Sequence, residues 1–143
     1  MTISELVSAL QSTIKEELGF PALLLPQKAT NNTARIELQY QDIKPNGDDN
    51  VKLIFTAEYA TNGTHLKWLE RTIELQRKLH DVEDTFMLLE IGTGATKDVL
   101  RAYWLRIGTP RWVYPTESES SMPAEYVLQY RIEIDIPTRL LED

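Results

Sequence analysis

Glu125-Tyr126-Val127-Leu128-Gln129-Tyr130-Arg131-Ile132-Glu133-Ile134-Asp135-Ile136 decides how this 143-residue chain is read. Tyr126, Leu128, Tyr130, Ile132, Ile134 and Ile136 occupy every second position, and Gln129, Arg131, Glu133 and Asp135 fill most of the gaps. Successive side chains of a β-strand point to opposite faces, so the pattern predicts a long strand with one dry face and one wet face. Such a strand belongs to an antiparallel or mixed sheet packed on one side. Its apolar row needs a covering layer, which the rest of the chain must supply.

Two segments with helical spacing can form that layer. Thr2 and Glu5 stand in the relation of a capping box, and Ile3, Leu6, Val7, Leu10, Ile14 and Leu18 follow at intervals of three and four. Gly19 and Pro21 end this amphipathic helix, whose polar side carries Gln11, Ser12, Lys15 and Glu16. It reads as a helix lying on a sheet. The second helix is expected from about Thr64 to His80, roughly 25 Å long. Leu66, Leu69, Ile73, Gln76 and His80 lie on one line of it and Trp68, Thr72, Leu75, Leu79 and Val82 on the next, so its apolar face is broad. Arg77, Lys78 and His80 fall in the expected last turn, where the helix dipole favours cations.

The other extended segments read as further strands. Pro21 to Pro26 encloses Ala-Leu-Leu-Leu, a short edge piece, because proline is tolerated where no ladder donor is needed. Arg35 to Gln41 and Val51 to Tyr59 both alternate, and Pro45 with Asn46-Gly47 between them predicts an antiparallel hairpin. Phe86 to Ile91 is a short apolar run. Val99 to Ile107 fits a strand or a helix, since both of its alternating rows are partly apolar. Its aromatic and β-branched residues and the Gly108-Thr109-Pro110 stop favour the strand. Trp112 to Tyr114 is a short extended piece, Thr116 to Pro123 a polar loop, and Thr138 to Asp143 an acidic tail. The expected fold class is α+β: one mixed or antiparallel sheet against two amphipathic helices, in a single domain spanning residues 1–143.

Composition narrows function mainly by exclusion. Without cysteine there are no disulfides, thiolate zinc sites or thiol nucleophiles. Met1 is followed by neither a basic nor an apolar leader region, and the longest apolar run, Ala22 to Leu25, is too short to span a bilayer. A soluble intracellular chain is expected. The net charge of −7 argues against a protein that grips duplex DNA by neutralising phosphates.

No constellation of residues carries recognisable chemistry. Gly92-Thr93-Gly94-Ala95-Thr96-Lys97 lacks the ending of a phosphate loop and the third glycine of a dinucleotide fingerprint, so it reads as a turn. His80, Asp81, Glu83 and Asp84 crowd a helix end without the spacing that puts two metal ligands on one face. Asp48, Asp49 and Asn50 read as turn residues, because no glutamate stands where a calcium loop requires one. His65 and His80 read as helix-surface positions, and no nucleophile elbow accompanies them. Trp68, Trp104 and Trp112 suit a core or an interface better than a stacking platform, which needs a basic groove. No catalytic, cofactor-binding or metal-ligating residue is expected.

The order of elements resembles the tail terminator proteins of long-tailed bacteriophages and, more loosely, their minor tail and head-tail completion proteins. The segments that carry the likeness are Thr2 to Leu18, Arg35 to Gln41, Val51 to Tyr59, Thr64 to His80 and Tyr126 to Ile136. The likeness covers most of the chain, while Ala95 to Tyr114 departs from the family's pattern. It implies a non-enzymatic phage or prophage structural protein that forms a homo-oligomeric ring, typically a hexamer, capping the tail tube. It also implies contacts with tail-tube and head-completion proteins, transient passage of DNA without specific binding, and no membrane partner. The protein would be assembled in the bacterial cytoplasm and reside in the virion tail. The edge of the closing strand offers a shared surface for ring closure. The alternative is a small α+β module that binds a ligand or peptide beside Tyr103 to Tyr114.

Overall fold

The structure, a computed structural model, describes residues 1–26, 35–61, 65–92, 94–108, 111–113 and 125–141. Its elements are α1 (Ile3–Leu18), β1 (Ala22–Leu24), β2 (Arg35–Pro45), β3 (Asn50–Thr61), α2 (His65–Asp84), β4 (Met87–Ile91), β5 (Asp98–Arg106), β6 (Arg111–Val113) and β7 (Glu125–Pro137). Short 3-10 turns lie at Gly94–Thr96 and Thr138–Leu141 among the described residues. The seven strands form one sheet in the order β1-β2-β3-β7-β5-β4, with β6 paired to β7 beside β5. Only the β1–β2 pair is parallel, so the sheet is mixed and the fold is α+β, as the periodicities predict.

β7, the strand with the clearest alternation, lies in the middle of the sheet. β3 pairs along its whole length, from Asn50 opposite Pro137 to Thr61 opposite Tyr126. On its other side β5 covers Tyr130 to Ile134 and β6 covers Glu125 to Val127. Leu128, Tyr130, Ile132, Ile134 and Ile136 are buried, whereas Gln129, Arg131, Glu133 and Asp135 point to the opposite face. The expectation of a free edge here is therefore corrected: a strand that carries the longest apolar row is the one most completely paired. The free edges of the sheet belong to β1 and β4.

Both helices cover the apolar face. Thr2 caps α1 by accepting a hydrogen bond from the Glu5 amide at 3.1 Å, and Gly19 ends it with φ 79°, a left-handed conformation that glycine adopts without a Cβ clash. Leu6, Leu10, Ile14 and Leu18 are buried from this helix, while Ile3 is 46% exposed. α1 packs on β4 along one flank and on β1 along the other. Since these are opposite ends of the sheet, the sheet curls around the core until α1 reaches both. The Gln11 amide fixes the β1 side by donating to the Ala22 carbonyl at 3.0 Å.

α2 runs to Asp84, four residues beyond the expected end at His80. Val82 is 8% exposed, so packing carries the helix on, and Thr85 closes it by hydrogen bonds to the carbonyls of Asp81 and Val82. Arg77, Lys78 and His80 thus precede the last turn. Lys78 instead reaches across to the other helix and donates to the Leu18 carbonyl at 3.4 Å. Of the two lines on α2, the one through Thr72, Leu75, Leu79 and Val82 is buried, and Ile73 on the other is 43% exposed. The broad apolar face expected of this helix is thereby corrected at Ile73, which faces solvent. The side chains of Leu66, Trp68 and Leu69 lie outside the described residues.

Val99 to Ile107 resolves as a strand, with Leu100, Ala102 and Trp104 buried and Ala102 and Trp104 opposite Ile134 and Ile132. The predicted hairpin forms between β2 and β3, with one extra residue in β2 between Tyr40 and Asp42. This bulge shifts the register so that Ile43, rather than Asp42, stands opposite the buried Leu53. The polar loop Thr116 to Pro123 lies outside the described residues.

Thr72 is one of the buried side chains whose polar group its surroundings leave unsatisfied. Thr72 is 3% exposed and its hydroxyl has no hydrogen-bond partner. Thr72→Val keeps the branched shape and similar helix propensity while removing the unpaired hydroxyl, so it is expected to stabilise the fold by about 1 kcal/mol. Thermal denaturation should show a rise of roughly 3 °C; a fall would mean that the hydroxyl is satisfied in solution.

Candidate functional site

The glycine-containing segment forms the connection between β4 and β5 and precedes no α-helix. Gly92 has φ 99°, and Lys97 pairs with Glu90 at 2.8 Å across the hairpin. A phosphate loop uses the amides of a following helix, so the geometry here is that of a hairpin turn. Asp48 and Asp49 occupy the β2–β3 turn and Asn50 begins β3; the Asn46 amide donates to the Asn50 carbonyl at 2.9 Å and the Asp49 carbonyl accepts from Thr138 at 2.8 Å. Asn46 also donates to the Asp135 carboxylate at 2.8 Å. His80 and Asp81 are exposed, and Glu83 accepts from Arg106 at 3.1 Å. Among the described residues no three His, Cys, Asp or Glu side chains are placed to share a metal ion. Trp104 is a core residue at 2% exposure; the side chains of His65, Trp68 and Trp112 lie outside the described residues.

Two surface features stand out once these motifs are placed. The first is on the open face of the sheet, away from both helices. Over β2, β3 and β7 this face is polar: Glu133 lies 3.5 Å from Lys52 and 3.0 Å from Arg131, and Gln129 donates to Glu58. Over β4 and β5 it carries a larger share of apolar side chains, interspersed with the exposed Glu90 and Arg101. Leu88 is 49%, Val99 51% and Leu105 46% exposed, and Phe86 stacks edge-on against Tyr103 at 5.6 Å with the Arg101 guanidinium 4.6 Å from its ring centre. Apolar side chains grouped on one exposed face mark contact surfaces far more often than isolated ones do. No motif marks this patch in the sequence. Its signal was present in the partly apolar outer row Val99, Tyr103 and Leu105, which also made the helix–strand choice ambiguous.

The second feature lies at the end of β5 on the core side, where Arg106 stands opposite Tyr130 in the sheet and bridges to Glu83 of α2. The guanidinium sits 5.9 Å from the Tyr130 ring centre, and Trp104 meets the same ring edge-on at 5.7 Å. The Tyr130 hydroxyl is buried without a hydrogen-bond partner of ordinary geometry. Burial, followed by the Glu83 carboxylate, pushes its pKa from 10.0 up to about 12, against the opposing pull of Arg106. A folded-state pKa above the unfolded value contributes stability that is complete below pH 10 and is lost as pH rises toward 12. The melting-temperature difference between Tyr130→Phe and the parent chain should therefore move in favour of Tyr130→Phe between pH 10 and 12. A constant difference across that window would show that Tyr130 is not titrating from a buried state. The cluster ties α2 to the sheet and presents no accessible nucleophile.

Comparison with protein-family models finds none that matches the chain, and no curated protein matches it significantly. No described helix is long and apolar enough to cross a membrane.

Proposed function

We propose that this chain is a non-enzymatic structural subunit of a long-tailed bacteriophage or prophage. Its copies close into a ring that caps the tail tube and presents the surface joined by head-completion proteins. The observation that carries this reading is the apolar patch on the open sheet face in which exposed Leu88, Val99 and Leu105 surround half-buried Phe86 and Tyr103. A ring subunit needs a stiff body and a surface that meets a different surface on its neighbour. The order of the helices, the hairpin and the long last strand supports the same class. With β7 paired on both sides, its edge is excluded as the joining surface, and the patch on β4 and β5 takes that role.

The net charge of −7 opposes association and suits a channel through which DNA passes without sticking. Screening should then favour the ring. Light scattering on concentrated protein across a salt and Mg²⁺ series is expected to show the mass rising from one copy to a closed oligomer as ionic strength increases. A chain that remains monomeric across the whole series is not a ring subunit, and the peptide- or ligand-binding alternative replaces this reading.

A further inference from the structure

β4 ends the sheet, and α1, which packs on it, leaves a groove open alongside the contact. A groove of about 810 Å³ runs between the two elements, with Leu88, Glu90 and Ile91 of β4 on one wall. The facing side of α1 is small and polar through Ser8, Ala9, Ser12 and Thr13, which leaves the groove open along the strand. A terminal strand presents alternate backbone amides and carbonyls with no ladder partner on its outer side. Of this five-residue edge strand, Met87–Ile91, it is Leu88, Glu90 and Ile91 that border the groove.

The charge of the groove is one-sided. Glu5, Glu16, Glu17 and Glu90 line it, and no Lys or Arg does so among the described residues. Lys97, just outside, neutralises Glu90 at 2.8 Å. Glu5, Glu16 and Glu17 have no ion-pair partner among the described residues, and Glu16 and Glu17 lie in the last turn of α1, where the helix dipole adds negative potential. Burial and then Glu16 both push the Glu17 carboxyl above its ordinary pKa, as expected where negative charges lack a nearby cation.

We infer that this groove is a docking site for an extended, Lys- or Arg-bearing segment of a partner polypeptide, which adds to the sheet as a strand beside β4. Main-chain hydrogen bonds to the β4 edge hold the segment, and its cations face the carboxylates of α1. The small side chains of α1 provide the room. This inference is independent of ring formation: it uses the backbone edge of β4 and the facing side of α1, and shares with the apolar patch only the side chain of Leu88.

The test uses the full chain in dilute monomeric form and three labelled peptides: alternating Lys-Val, the matching Glu-Val peptide, and the Lys-Val peptide with its central Val replaced by Pro. Saturable binding is expected for the first, with the other two weaker by about tenfold or more. Bound Lys-Val peptide should slow amide exchange in Met87–Ile91, and the Glu16→Gln/Glu17→Gln and Ser12→Trp variants should each weaken binding by about tenfold. All three substituted residues are exposed, so these variants are expected to fold. Failure of the Lys-Val peptide to bind overturns the inference. Equal binding of the proline peptide, or unchanged β4 exchange, overturns it too, because the contact would then be charge adhesion without strand addition.

Discussion

Ile132→Asp is expected to leave no folded protein, whether read as inclusion bodies on expression or as loss of the cooperative melting transition. Ile132 is 0% exposed at the centre of β7, opposite Phe55 of β3 and Trp104 of β5, both buried. The substitution removes an aliphatic side chain from a closed core and places a carboxyl where no partner exists. Together these cost on the order of 5 kcal/mol or more, comparable with the entire stability of a typical domain. The matched change lies one residue away. On sequence grounds Glu133→Lys is a harmless surface control, but Glu133 sits between Lys52 and Arg131, so reversal would gather three cations. Glu133→Gln is the better control and should cost about 1 kcal/mol or less, as expected for partly exposed ion pairs. Equal destabilisation by Ile132→Asp and Glu133→Gln would mean that the strand faces the other way.

Leu88→Asp/Leu105→Asp is expected to abolish self-association while leaving the melting temperature of the monomer nearly unchanged. Both side chains are close to half exposed on the open sheet face, so the isolated subunit loses little when they become polar. Covering each leucine at a subunit contact contributes about 1.5 kcal/mol or more, and unpaired carboxylates in their place oppose the contact. Each contact should weaken by at least about a hundredfold, and ring closure compounds the loss. Sedimentation at the ionic strength where the parent chain assembles measures this directly. A variant that still assembles would move the joining surface elsewhere on the molecule.

Local rules account for what was legible in the sequence. The two-residue alternation of β7 and β3, the capping residue Thr2 and the stop at Gly19 each reflect interactions within a few residues, and the structure follows them. What was not legible depends on contacts between distant segments. The central position of β7 follows from β5 and β6 pairing along one side of it, and β6 is a three-residue strand too short to have a period. The buried line of α2 could not be chosen because both lines carry apolar residues; the sheet beneath selects Leu75 and Leu79 over Ile73. Its end at Asp84 depends on the burial of Val82, which no terminal signal announces.

The candidate surfaces were less visible for the same reason. Leu88 and Leu105 belong to opposite sequence contexts, and only the β4–β5 pairing places them on one face. Ser8 and Ser12 read as an ordinary solvated helix side until β4 is seen to be the end strand beside them. The turn readings needed only local geometry: Asp48 and Asp49 lie in the β2–β3 turn while Asn50 begins β3, and the described residues of 92–97 connect β4 to β5.

The central claim, that copies of this chain cap a tail tube as a ring, is tested most directly by electron microscopy of purified tail tubes incubated with the protein in the salt and Mg²⁺ conditions under which it assembles. A single ring of density is expected on one end of each tube, present with the parent chain and absent with Leu88→Asp/Leu105→Asp. Tubes with bare ends under conditions where the parent chain is oligomeric, or density spread along their sides, would contradict it.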